Sequence, residues 1–216
     1  MPPSWTIRDG FWSCRPVNWL AHFVLSPDDD RVRLGNWLPD VLSRPELATV
    51  TDPMLRRGIE LHHRIDETTD RHPAVLAARD RLPAGLRRFA GIVLDVMWDH
   101  FLTRDFNRLA GEPLDAFVAR VEAGLYAHSE ALPAEIQAVL ARMESERWLR
   151  NYGTPAGVEL TLTRISRRLS ARARAEFQPA AAHRLLEHDY RQLETNFADL
   201  WTDLVPLAHS RPPNRL

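Results

Sequence analysis

In the segment DPMLRRGIELHHRIDETTD, residues 52–70 of a 216-residue chain, an imidazole and a carboxylate stand one helical turn apart. Leu55, Ile59, His62, Asp66 and Thr69 follow a 4-3-4-3 spacing and share one helix face, with Leu61 and Ile65 flanking it. A carboxylate buried in such a seam is costly unless it is paired or bound to a cation. Side chains at i and i+4, with roughly 6 Å between their Cβ atoms, can reach one metal ion. The alternative is an internal His–Asp hydrogen bond or a surface contact between Asp66 and Arg64. In RRFAGIVLDVMWDHFLTRDF (87–106), the residues Ile92, Asp95, Asp99 and Leu102 again share a face. Two acids at i, i+4 repel each other and call for an arginine or a metal. His100, about 100° round the helix from Asp99, could ligate the same ion or hold a ligand in place.

Two shorter stretches could complete a site. In NWLAHFVLS (18–26), His22 shares an apolar face with Trp19 and sits close to Val24 and Leu25, where a core histidine is the plainer reading. In RLGNWLPDVL (33–42), Gly35-Asn36 reads as a turn, and Asp40 follows Pro39 near the start of a short helix that it could simply cap. His22, Asp40, His62, Asp66, Asp95, Asp99 and His100 together form a His/Asp set without cysteine. Such N/O ligands suit Mn²⁺, Fe²⁺ or Mg²⁺ better than structural zinc, and they belong to hydrolytic chemistry.

The elements that must position these groups read as helices punctuated by prolines. Asp52-Pro53 and Thr154-Pro155 each place an N-cap before a proline in the first turn. Helices are predicted near 18–26, 53–70, 73–81, 85–105, 113–129, 133–150, 155–170 and 180–207, and no alternating runs point to strands. The expectation is an all-α, single-domain helical bundle over residues 17–210. Residues 1–16 lack helical period and read as an N-terminal extension or a misplaced translation start. Cys14 is the sole cysteine, which excludes a disulfide framework. No apolar run approaches the ~18 residues of a membrane span and no signal peptide is visible, so a cytoplasmic, membrane-free protein is expected. With 28 basic residues, all arginine, against 29 acidic ones, the net charge of −1 argues against a nucleic-acid partner.

The blocks NWLAHF, GNWLPDVL, GIELHHRIDETTDRHP and LDVMWDHFL resemble, in order and spacing, those of bacterial acyl carrier protein phosphodiesterases. SRRLSAR and DYRQLETNFADLW resemble that family's C-terminal half, so the likeness spans about residues 17–207. It implies a helical fold related to the HD phosphohydrolases. It also implies Mn²⁺-dependent hydrolysis of the phosphodiester joining 4′-phosphopantetheine to a serine of holo-acyl carrier protein, which leaves the apo-protein. An HD-type phosphohydrolase of a nucleotide or other small phosphoester, and a non-enzymatic helical adaptor, are the competing readings.

Carried over by position, the resemblance implicates His22, Asp40, His62, Arg64, Asp66, Asp99 and His100. His62, Asp66 and Asp99 would hold the metal, with His22 and His100 as further ligands or leaving-group acids. Asp40 would ligate the metal or orient the water, and Arg64 would fork onto the phosphate. The chain departs from the family in residues 1–16 and at His63, where a basic residue is often found. Because carrier proteins are strongly acidic, a basic docking surface is also expected. RISRRLSARAR (164–174) offers Arg164, Arg167 and Arg168 on one helix face, with Ala171 next along it and Arg172 and Arg174 nearby.

Overall fold

The computed structural model describes residues 19–167 and 169–209, so the N-terminal extension and Arg168 lie outside the described residues. Thirteen α-helices and no strand occur among them. They are α1 (Trp19–Val24), α2 (Asp30–Trp37), α3 (Arg44–Thr49), α4 (Pro53–Arg71), α5 (Pro73–Arg81), α6 (Ala90–Arg104), α7 (Phe106–Ala110), α8 (Leu114–Ala127), α9 (Ala134–Ser145), α10 (Pro155–Ser166), α11 (Ala171–Glu176), α12 (Pro179–His188) and α13 (Tyr190–His209). Short 3₁₀ turns at Leu38–Asp40, Ala84–Phe89, Ser129–Ala131 and Trp148–Gly153 link some of them. No described helix is long and apolar enough to cross a membrane.

The helix starts follow local chemistry. Asp52 accepts from the Met54 and Leu55 amides with Pro53 in the first turn of α4, and Thr154 caps α10 in the same way through Gly157 N. Ser43 and Glu46 form a reciprocal capping box on α3. Three of the predicted helices prove to be two elements each. The stretch 85–105 begins as a 3₁₀ turn, 180–207 breaks at Asp189, and 133–150 breaks where Arg147 adopts a left-handed conformation (φ 53°). The short helices α3, α7 and α11 leave no readable period, because fewer than two turns repeat a face at most once.

Helix α6 runs through the centre and packs against α1, α5, α10, α13 and the turn at Trp148–Gly153. Every residue from Val93 to Leu102 is buried, so its apolar character is continuous rather than one-sided. Around its own Trp98 and Phe101 gather Leu20, Phe23, Phe197 and Leu200.

The contact that matters most for function is the crossing of α2 and α4. Gly35 and Gly58 face the partner helix's backbone at this crossing. A Cβ on Gly35 would lie 2.1 Å from the Leu55 carbonyl oxygen, and one on Gly58 would lie 2.2 Å from that of Val32. Gly35-Asn36 is therefore helical rather than a turn, and its glycine serves close backbone approach. Gly58→Ala is expected to force the helices apart at a cost of about 3 kcal/mol. For a chain of this size that lowers Tm by roughly 6–12 °C, which a thermal melt by circular dichroism checks directly.

Candidate metal centre

Three elements converge beside that crossing. Helix α1 supplies His22, the 3₁₀ turn after α2 supplies Asp40, and α4 supplies His62 and Asp66. His22, Asp40 and His62 each present one ligand atom, all within 4.8 Å of one another. Asp66 spans the two imidazoles: its Oδ1 lies 3.4 Å from His22 Nε2 and its Oδ2 lies 3.2 Å from His62 Nε2. Asp40 Oδ1 lies 3.9 Å from His62 Nε2. The two rings stack with centroids 4.3 Å apart and planes 15° from parallel.

Asn36, absent from the sequence-level candidates, orients both rings. Its side-chain Nδ2 donates to His22 O (2.8 Å) and to Ser26 Oγ (2.9 Å), while the Ser26 hydroxyl donates to His22 O. The amide orientation is thereby settled, and Asn36 Oδ1 must accept from His22 Nδ1 at 3.0 Å. The main-chain oxygen of Asn36 accepts from His62 Nδ1 at 2.7 Å. Both rings therefore carry a proton on Nδ1, and when neutral they direct Nε2 lone pairs at the carboxylates. A lone pair facing a carboxylate is repulsive. Protonating both rings would stack two cations face to face. A single divalent cation among the four side chains removes both conflicts.

The two carboxylates differ sharply in character. Burial lifts the Asp40 pKa to about 7; the nearby His62 opposes this, and the Asp66 charge adds to it. The Trp19 indole offsets the rise only slightly, without completing a hydrogen bond, and Asp40 Oδ2 has no hydrogen-bond partner. For Asp66, burial also favours the acid form, but the Nε2 protons and positive charge that His22 and His62 carry in their imidazolium forms outweigh it and push the carboxyl far below the ordinary range. An orphaned buried carboxylate oxygen beside two inward imidazole nitrogens is a donor set that could bind a divalent metal.

Several residues expected at this centre fall outside the His22–Asp40–His62 cluster and make other contacts. Asp99 is fully buried, and its Oδ1 accepts from Ala21 N at 3.3 Å, with the Leu20 amide as a second backbone donor. It holds the first turn of α1, where unpaired amides attract a carboxylate, and so acts on His22 through the backbone. Burial raises its pKa well above the usual value and the amides only partly counter this. His100 has no lone pair to offer: Nδ1 donates to Tyr152 O (2.8 Å) and Nε2 accepts from the Tyr190 hydroxyl (2.9 Å), on which Arg104 also converges. Its burial depresses its pKa, which keeps the ring neutral.

Arg64 sits about 200° round α4 from both His62 and Asp66. It lines a surface groove with Arg57, Glu60 and Leu207. The basic segment is also divided, because α10 ends at Ser166 instead of continuing to 170. Arg174 folds back to donate to the carbonyls of Ser166, Arg167 and Leu169, and Arg172 approaches Glu176 at 3.8 Å. The signal that would have found Asn36 is its spacing of four from Asp40, which puts both side chains on one side of the α2–turn junction.

Comparison with known proteins adds independent findings. The model of the acyl carrier protein phosphodiesterase family matches residues 17–204. The chain is 31% identical to the acyl carrier protein phosphodiesterase of Yersinia pestis over 196 residues, covering 90% of this chain and 99% of that protein. It is 31% identical to that of Serratia proteamaculans over 198 residues, with the same coverage. Against that of Yersinia enterocolitica it is 37% identical over 137 residues, 63% of this chain and 70% of the relative. No solved structure matches it.

Two outcomes are expected of this centre. Asn36→Ala frees the His22 imidazole, while His62 keeps its bond to the main-chain oxygen of residue 36, and weakens divalent-metal affinity roughly 10–100-fold, read by metal titration of folded protein. The second concerns pH. Between 3.8 and about 7, folded metal-free protein holds a proton on Asp40 that the unfolded chain has lost, so this group's stabilisation is complete below 3.8 and fades as pH rises to about 7. Asp66 is ionised in both states over that window, whereas His63 and His100, with lowered pKa values, act in the opposite sense below 6.5. The difference in urea stability between wild type and Asp40→Asn in chelator therefore isolates Asp40, and it should shift by up to roughly 4 kcal/mol across the window.

Proposed function

The chain belongs to the acyl carrier protein phosphodiesterase family, and from this premise we propose that it hydrolyses the phosphodiester between 4′-phosphopantetheine and a serine of holo-acyl carrier protein. The products are apo-carrier and 4′-phosphopantetheine, the catalytic domain is residues 17–210, and the enzyme acts in the cytoplasm. The observation that carries the reading is the meeting of two imidazole Nε2 atoms and two carboxylates from three elements within the matched region.

His22, Asp40, His62 and Asp66 would hold the metal, and their mixed nitrogen and oxygen donors favour Mn²⁺, with Fe²⁺ or Mg²⁺ as alternatives. Bound there, the ion supplies a water of lowered pKa and draws electron density from the phosphoryl oxygens. The protein's own contribution is orientation and proton handling. Asn36 keeps both Nε2 atoms turned inward, and Asp99 holds α1 so that His22 cannot retreat. Asp66 stays ionised at any physiological pH. Asp40 Oδ2 has no competing hydrogen-bond donor, which leaves it open to accept a proton from the attacking water. No serine or cysteine nucleophile is needed.

Mass spectrometry of holo-carrier incubated with the protein and Mn²⁺ tests the proposal, with loss of the phosphopantetheine mass as the expected result. Asp66→Asn should slow this loss by more than roughly a hundredfold, beyond the effect of removing a supporting hydrogen bond. Holo-carrier unchanged by metal-loaded wild-type protein would overturn the assignment.

A further inference from the structure

Resting on that reading of the centre, we infer that Trp148 is a positioning residue: its ring braces Trp19, and Trp19 sets where His22 stands relative to Asp40. The need for a brace follows from the elements that carry the ligands. His62 and Asp66 share α4, a helix of 19 residues. His22 sits on α1, only 6 residues long, and Asp40 ends a 3-residue 3₁₀ turn. Pieces this short are not rigid by themselves and take their position from packing. Yet ligand atoms must stand within about 0.2 Å of their ideal distances for one ion to engage them all.

Trp19 links the two short pieces. It lies one turn before His22 on α1 and meets Trp37 edge to face, with ring centroids 5.6 Å apart and planes at 87°. Trp37 is the last residue of α2, directly before the Leu38–Asp40 turn. The other ring against Trp19 is Trp148, 5.5 Å away and tilted by 38°. Trp37 is fully buried, Trp19 is nearly so, and Trp148 is half-buried, so the three indoles run from the interior to the surface. Trp148 is the outer member that keeps Trp19 pressed against Trp37.

Three further features fix the Trp148 ring. Its Nε1 donates to Glu146 Oε2 at 2.8 Å, Arg142 holds Glu146 at 3.1 Å, and that guanidinium stands 5.6 Å from the Trp148 ring centroid. Arg147, immediately before it, is the one non-glycine residue with positive φ among the described residues, at 53°. Side chains persist in that conformation only where the surrounding structure imposes it, and such positions cluster at functional sites. At the far end of the turn, His100 Nδ1 donates to the Tyr152 carbonyl at 2.8 Å and ties the turn to α6. The buried His100, which is not a ligand, thus acts on the centre through the turn that carries Trp148.

Mn²⁺ titration of the folded full chain by calorimetry tests the brace in four variants: Trp148→Ala, Trp148→Phe, Glu146→Ala and Phe177→Ala. Phe177 is buried and packs on Phe89 at 4.9 Å, a ring pair that shares no member with the three tryptophans, so its truncation loosens the core and spares the brace. Trp148→Ala should weaken Mn²⁺ affinity roughly tenfold, and Trp148→Phe should stay within about threefold of wild type. Glu146→Ala, which releases the indole N–H, should weaken it about threefold. Phe177→Ala should lose urea stability and keep its affinity within about twofold. The inference is overturned if folded Trp148→Ala binds Mn²⁺ as wild type does, if Trp148→Phe fails to restore affinity, or if Phe177→Ala weakens it as much. Should Trp148→Ala not fold, wild-type affinity in Glu146→Ala overturns it. Each protein is also assayed on holo-carrier, where a loss with unchanged Mn²⁺ affinity would make Trp148 a carrier contact and overturn the brace. A wild type that binds Mn²⁺ but leaves holo-carrier intact removes the proposed activity, while the metal titrations still decide the brace.

Discussion

Two hydrogen bonds from a single residue govern this molecule's chemistry. Asn36 offers its side-chain oxygen to His22 Nδ1 and its main-chain oxygen to His62 Nδ1, and neither oxygen can do anything but accept. The ring protons are held outward, so the Nε2 lone pairs point inward toward Asp66 and Asp40. Reversing either proton would turn an acceptor into a donor and remove the conflict that a cation resolves. This arrangement depends in turn on a steric fact, that α2 and α4 touch backbone to backbone at Gly35 and Gly58. Only at that separation does the Asn36 carbonyl reach an imidazole on the neighbouring helix. Packing of two glycines thus determines a tautomer, and the tautomer determines what the site can bind.

The same centre shows how one environment can drive two identical groups apart. Asp40 and Asp66 are both carboxylates near the same imidazoles. Asp66 lies 3.4 and 3.2 Å from the two Nε2 atoms, whereas Asp40 is no closer than 3.9 Å to His62 and has an oxygen with no partner. Before any metal binds, contacts with charged imidazoles outweigh burial for the first and burial dominates for the second, so the two carboxyls are pushed in opposite directions.

How far the sequence could be read depended on which kind of information a residue's position carries. The helix over residues 53–71 was legible because its stripe of Leu55, Ile59, His62, Asp66 and Thr69 repeats across several turns between clear caps. The pairing of His62 with Asp66 followed from that stripe alone. Helix α6 gave no such guidance. It is buried all round, so every side chain points into the interior and the Asp95–Asp99 spacing does not identify the neighbour that each one meets. Asp99 meets the amide end of α1 and His100 meets a carbonyl and a tyrosine hydroxyl, pairings that depend on helix docking across 78, 52 and 90 residues of chain. Arg64 stands two residues from both His62 and Asp66, about 200° round the helix from each, so it does not share the face of that stripe.

A buried histidine or aspartate is therefore weak evidence of a metal site until its partners are known. His100 and Asp99 are as deeply buried as His22 and His62, yet backbone groups and a tyrosine hydroxyl account for the contacts they make. The residues of the centre differ because their outward atoms are satisfied by the scaffold while their inward atoms face only one another. Asp99 also keeps one unpartnered oxygen, but its other oxygen is tied to a helix amide rather than facing an imidazole. Mutual orientation, rather than burial or residue type, separates the candidate ligands from the histidines and aspartates that hold the helices together.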